Sequence, residues 1–276
     1  MIKKIKNYIK TNFPKIVSLY KIFRQKKGDV SFEGWGMLTT STNPPWNNSN
    51  NKFTQKFTKI HLNIIENIKN KNFIDTTPGN NIFDSLETLE SLKWRHYLIY
   101  FSIQLVANVK DSNNYVECGV GDGLSISYVL NEIEDENSKF YLYDSWQPMI
   151  KKYLSKKQES RNIGAYNSLN YEITKNNLKN FKKKIFFNQG YIPDIFDKAD
   201  NPENIAWLHI DLNSSIPTLR CLEFFYNKLD KNGVIIFDDY GWKGYEETKA
   251  IVDQFFNDKN GILFQLPTGQ GIYINK

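Results

Sequence analysis

One stretch does most to limit the folds open to this chain: Val116-Glu117-Cys118-Gly119-Val120-Gly121-Asp122-Gly123. An apolar run ends in an acid, and three alternate glycines come after it. Glycine at such positions admits φ > 0 and lets a ligand approach the backbone. A doubly wound α/β domain receives a nucleotide-like cofactor in this way, in the crevice beyond the carboxyl ends of its strands. An ordinary strand-to-helix turn reads the same, so the stretch needs support from the rest of the chain.

That support comes in order. Strands are expected at 115–117, 140–144, 185–188, 205–210 and 234–237, an alternation with helices that marks a parallel sheet. The helices fall at about 125–132, 217–229 and 245–256, and Asn232-Gly233 reads as the stop after the second of these. Residues 151–181 read as polar and mostly helical, with Tyr166, Leu169, Ile173 and Leu178 on one side. The tail, 262–274, reads as a closing hairpin turned at Pro267-Thr268-Gly269-Gln270. The expected domain is a Rossmann-like, mostly parallel seven-stranded α/β sheet flanked by helices over 91–276. Residues 1–90 precede it as a helical and loop-rich N-terminal extension.

Within that extension, Ile2, Ile5, Ile9, Phe13, Ile16, Leu19 and Phe23 make a basic amphipathic segment over 1–27. It either docks on its own domain or a dimer partner, or lies on a membrane surface. Residues 28–51 form an aromatic loop carrying Trp35 and Trp46, which packs on a neighbour or covers a pocket. Residues 56–74 and 86–109 read as helices, and Trp94-Arg95-His96 sits within the second. A chain that is 40% hydrophobic and 15% aromatic can bury a large core. Its formal charge of +6 is spread thinly, a weak pointer to acidic partners such as phosphorylated sugars or anionic membrane. No zinc-finger or RRM-type signature supports nucleic acid. Cys118 and Cys221 lie in apolar segments and read as buried thiols, which favours a cytoplasmic setting. No apolar run is long enough for a span, and no signal-peptide pattern opens the chain. A homo-oligomer is expected.

Asp144 ends the second strand, where a carboxylate can accept both hydroxyls of a ribose. Position 124 is Leu, where a dinucleotide fingerprint wants glycine. Glu117 would repel a pyrophosphate but attract an ammonium and a sulfonium. These residues favour S-adenosylmethionine (SAM) over a dinucleotide. A second group is acidic: Asp211 ends the fourth strand, and Asp238 and Asp239 end the fifth, on the same edge as the glycines. Unpaired, the three would shift one another's pKa, and a divalent cation relieves that. An all-oxygen set favours Mg²⁺ or Ca²⁺. His209 points the same way as Asp211 and reads as a contact to cofactor or metal-bound substrate, or as a satisfied core histidine.

Glu117-Cys118-Gly119-Val120, Tyr141-Leu142-Tyr143-Asp144-Ser145, Leu208-His209-Ile210-Asp211, Pro217-Thr218-Leu219, 233–241 and 266–271 together resemble the macrocin O-methyltransferase (TylF-like) family. The resemblance covers about residues 90–276. It implies a class I SAM-dependent methyltransferase that methylates a sugar hydroxyl with Mg²⁺ help. Asp211, Asp238 and Asp239 would be metal ligands, and Asp211 or His209 would take the proton. Glu117, Gly119, Gly121, Ser125, Asp144 and Ser145 would hold SAM, with Gln189-Gly190-Tyr191 near the adenine. The chain departs from the family after Asp211, where Asn213 replaces a common further acid. The acceptor is expected to be a nucleotide-activated or surface-polysaccharide sugar. A macrolide-type product, a catechol, or a non-catalytic SAM-binding role are the alternatives. Trp35, Trp46, Tyr166 and Trp242 are candidates to stack on the acceptor.

Overall fold

The computed structural model of the protein describes residues 52–76, 86, 89, 90, 92–106 and 112–276. The amphipathic segment 1–27 and the aromatic loop 28–51 lie outside the described residues. Five strands run parallel: β1 (Asn114–Cys118), β2 (Lys139–Asp144), β3 (Lys184–Gln189), β4 (Ile205–Ile210) and β5 (Leu229–Phe237). A hairpin of β6 (Gly261–Gln265) and β7 (Gly271–Asn275) closes the sheet, with β7 antiparallel to β5. The order is β3-β2-β1-β4-β5-β7-β6, the seven-stranded, mostly parallel sheet expected. Strand order reverses between β1 and β4, so a crevice opens beyond their carboxyl ends.

Burial on both faces explains the sequences. β4 reads Ile-Ala-Trp-Leu-His-Ile, and all six residues are buried. A parallel strand covered on both sides is apolar throughout rather than alternating. Helices α1 (Lys52–Lys69), α2 (Lys93–Val106), α3 (Leu124–Glu132), α4 (Lys156–Asn162), α5 (Tyr171–Leu178), α6 (Ser215–Phe225) and α7 (Glu246–Phe256) supply the cover. Tyr115, Phe140 and Trp207 face Ile99, Ile103 and Val106 of α2 and Ile126 and Val129 of α3. Val116, Leu208 and Ile235 face Cys221, Leu222 and Phe225 of α6 and Val252 and Phe256 of α7. α1 packs outside α2 and α3 through Phe57, Ile60 and Ile64 against Tyr100 and Tyr128. Both cysteines are free and buried. No described helix is long and apolar enough to cross a membrane.

Three expectations need correction. Residues 151–181 are broken rather than mostly helical, because Gly164 (φ 75°) and Tyr166 (φ 61°) take the left-handed region that stops a helix. α5 then starts afresh, with the Asn170 side chain accepting from the backbone N–H of Glu172 and Ile173. Asn232-Gly233 does not stop a helix. α6 ends at Phe225, β5 already begins at Leu229 opposite Ile205, and Asn232 (φ 64°) lies in an irregularity of that pairing. The helix expected over 56–74 runs over Lys52–Lys69, and the chain turns at Lys71 (φ 57°) to bury Phe73.

Candidate active site

The crevice is built first from the glycine loop. Gly119, Gly121 and Gly123 all have positive φ, at 88°, 55° and 87°. A Cβ on Gly119 would fall 1.7 Å from the backbone oxygen of Asp211. The ends of β1 and β4 therefore meet only because residue 119 has no side chain. A Cβ on Gly121 would meet only Leu169, at 3.9 Å, so this glycine borders open space. Asp144 closes the loop from β2. Its Oδ2 accepts from the N–H groups of Val120 (2.8 Å) and Gly121 (2.9 Å), and its Oδ1 from that of Trp146 (2.7 Å). Burial raises the Asp144 pKa, and these donors restrain the rise.

The acids meet as the strand ends predict, but an arginine stands between them. Arg95, in the first turn of α2, places Nη2 2.5 Å from Asp211 Oδ2 and Nε 2.6 Å from Asp238 Oδ1. Its Nη1 reaches Ser125 Oγ (3.2 Å) and His96 Nε2 (3.1 Å). Burial alone would lower the arginine's pKa, but Asp238 and Asp211 more than offset it. Against the upward push of burial, Arg95 and then His209 hold Asp238 well below the usual carboxylate range. Burial and the charge of Asp238 push Asp211 up to about 7. Asp239 has no arginine partner among the described residues. Its Oδ2 accepts from the backbone N–H of Asn213 (2.7 Å), and burial with Asp211 and Asp238 pushes it well above its ordinary value.

Beneath this layer, His209 Nδ1 lies 2.8 Å from Glu117 Oε1, and both side chains are fully buried. His209 Nε2 faces Asp238 Oδ1 at 4.0 Å. Burial works against a charged imidazole, but Asp238 and Glu117 outweigh it and raise His209 to about 9. Glu117, 0% exposed, keeps a second oxygen with no hydrogen-bond partner.

A cavity of about 440 Å³ opens above these groups. Gly119, Gly121, Ser125, Asp144, Ser145, Gly190, Tyr191, Asp211, Asp238 and Asp239 line it, as the sequence suggested, and so do Tyr166 and Trp242. Three candidates are placed otherwise. Glu117 and His209 lie under the floor rather than on the wall, and Gln189 is exposed at the end of β3. Tyr191 stacks on Tyr153 (centroids 4.9 Å apart) and donates to Pro148 O.

Reading the sequence missed three members of the site. Arg95 carried a signal: a buried cation on a helix as apolar as α2 requires carboxylates nearby. Gln270, fully buried in the hairpin, donates to Asp238 Oδ1 at 3.0 Å. Nothing local announces it, because it reaches Asp238 from the opposite side of the sheet edge. Asn213 takes φ 53°, which asparagine tolerates, and joins the acids together. Its Nδ2 faces Asp211 Oδ1 (3.3 Å) and its Oδ1 accepts from Tyr245.

Cofactor and cation can each be tested against these residues. Six acids line the cavity (Asp75, Asp122, Asp144, Asp211, Asp238, Asp239), against Arg95 and His96 as the described basic side chains there. A cationic ligand fits that acidic wall, with open space beside Gly121. Asp239, buried beside two like charges, is the kind of group a divalent cation satisfies. Among the described residues, ligand atoms of His209, Asp211 and Asp238 converge within 4.8 Å, a set that does not include Asp239. The carboxylate oxygens of Asp211 and Asp238, with Asp239 beside them, suit a small hard cation.

Residues 116–240 match the family profile described as "Methyltransferase domain". No curated protein matches the chain. Among solved structures, that of the O-methyltransferase NovP aligns over 83% of this chain and 100% of its own, at 17% identity and TM-score 0.60. The calicheamicin methyltransferase CalS11 aligns over 90% of this chain and 99% of its own, at 14% identity and TM-score 0.54. The fold is therefore one that these two methyltransferases share.

Proposed function

We propose that the protein is a SAM-dependent O-methyltransferase acting on a sugar hydroxyl with the help of a divalent cation. The observation that carries this reading is the wall of the cavity. A glycine loop meets acids from three separate strand ends, and one guanidinium balances only part of their charge. SAM brings a sulfonium and an ammonium, which such a wall attracts. The profile match over 116–240 and the fold shared with NovP and CalS11 support methyl transfer. The sugar acceptor rests on the sequence motifs at 208–211 and 233–241.

When bound, SAM supplies an electrophilic methyl group, and a divalent cation held by Asp211, Asp238 and Asp239 would lower the pKa of an acceptor hydroxyl. The chain's own groups do the rest. The loop at Gly119–Gly123, fixed by Asp144, positions the donor, and Ser125 faces it from α3. Asp211 lines the cavity and is the carboxylate placed to accept the hydroxyl proton. His209 lies beneath the floor, raised to about 9 by Asp238 and Glu117. It is absent from the cavity lining, and its place between Glu117 and Asp238 suits holding those acids rather than reaching the acceptor. The rate gain then comes from alignment and fixed charge.

The test is mass spectrometry of SAM incubated with sugar nucleotides, simple glycosides and catechols, with chelator or with Mg²⁺. A methylated sugar is expected, lost on chelation and regained on Mg²⁺ addition. Methylated catechol alone would move the acceptor to a flat phenol. SAM binding without turnover on any acceptor would reduce the protein to a binding module.

A further inference from the structure

Arg95 stands where the proposed cation would bind. Of the three carboxylates in the cluster, the guanidinium takes Oδ2 of Asp211 and Oδ1 of Asp238 at 2.5 and 2.6 Å. The same Asp238 oxygen also accepts from Gln270, and the remaining Asp211 oxygen faces Asn213 Nδ2. Both acids are thus already engaged by donors, Asp238 at one oxygen and Asp211 at both. A divalent ion placed on the same oxygens would sit within a few ångströms of a mostly buried guanidinium, and like charges at that range repel. Asp239 is different, since its hydrogen bond comes from a backbone N–H rather than from the arginine.

We infer that Arg95 is a built-in competitor for the divalent-cation site. It bridges Asp211 and Asp238 in the metal-free protein and gives up at least one of them when a cation enters through Asp239. This inference rests on the reading that the cluster takes a divalent cation. The fold then depends less on metal, because the arginine already balances part of the charge of these acids. Metal affinity is also lower than the acids at this rim would otherwise give. Arg95 keeps partners when displaced, since Ser125 Oγ and His96 Nε2 bind a different nitrogen of the same fork. Its movement would thus connect cation entry to Ser125 on the cofactor wall. Arg95 acts through the acids, as a positioning residue.

The experiment is titration of full-length protein with Mn²⁺, with free ion monitored by electron paramagnetic resonance, and with melting curves recorded alongside. The chains are wild type, Arg95→Met, Arg95→Lys, and Arg95→Met combined with Asp239→Asn. Arg95→Met is expected to bind Mn²⁺ at least tenfold more tightly than wild type, with Arg95→Lys between them. Metal-free Arg95→Met should melt lower than wild type and recover when Mn²⁺ is added. The added Asp239→Asn change should abolish the gain in affinity. Equal or weaker binding by Arg95→Met would overturn the inference, because the arginine would then be neutral or helpful to the metal. If no chain binds Mn²⁺, the divalent-cation reading fails and the inference with it. Should Arg95→Met fail to fold without metal, Arg95→Lys decides: binding no tighter than wild type rejects the competition.

Discussion

At the scale of the residue, the glycine loop makes the sharpest demands. Gly119 combines φ 88° with a Cβ position 1.7 Å from Asp211 O. Gly119→Ala should therefore cost at least about 3 kcal/mol, since either the strand ends part or the backbone strains. Urea denaturation of the variant checks this. Asp144→Ala removes the acceptor of three backbone N–H groups. A loss of about 1–3 kcal/mol is expected, together with weakened SAM binding, because each donor left unpaired in a part-buried loop is costly. Both positions were legible in the sequence, but only as places. That Asp144 binds the loop itself was not legible, because it depends on how the β2 end returns over residues 120 and 121.

At the scale of the element, the parallel core announced itself because strands buried on both faces leave long apolar runs. The 205–210 strand has the bounds expected from its composition. The stretch 151–181 misled because its apolar residues recur at helical spacing, while the break at Gly164 and Tyr166 goes with backbone hydrogen bonds between Met149 and residues 164 and 165 that spacing does not reveal. The hairpin was visible from its turn residues, but its contribution to the site was not. Gln270 reaches Asp238 from the start of β7, and Gly269 packs against Trp242, where a Cβ would lie 2.9 Å from Nε1. Gln270→Leu should lower methyl-transfer turnover several-fold while costing stability only about 1 kcal/mol. Steady-state kinetics beside a melting curve would separate the two effects. α2 gives the complementary lesson: its apolar face was plain, and its one arginine, the central cation of the site, lacked an assignment because its partners lie more than a hundred residues later.

At the scale of the whole molecule, all three histidines of the chain are buried, and they divide by charge state. His61 and His96 lie on either side of Tyr128, His61 through Nδ1 to the Tyr128 hydroxyl (2.7 Å) and His96 stacked on the ring at 5.0 Å. Burial lowers both below their ordinary value of 6.5. A histidine whose folded pKa is depressed contributes stability that is present above 6.5 and lost as pH falls below it. Each unit of depression corresponds to about 1.4 kcal/mol. The raised carboxyls of Asp211 and Asp239 act with the opposite sign but are common to both chains, so between about pH 7.5 and about pH 5.5 His61→Gln should lose less stability than wild type. An unchanged slope in the variant would assign the acid sensitivity elsewhere.

The proposed chemistry depends above all on SAM lying against the glycine loop. Calorimetric titration of SAM into wild type and into Gly121→Leu tests this most directly, because residue 121 borders open space and a side chain there fills the cavity before it disturbs the core. One-to-one binding is predicted for wild type, and at least about tenfold weaker binding for a variant that still melts cooperatively. Equal affinity in the folded variant, or no heat with wild type, would contradict it.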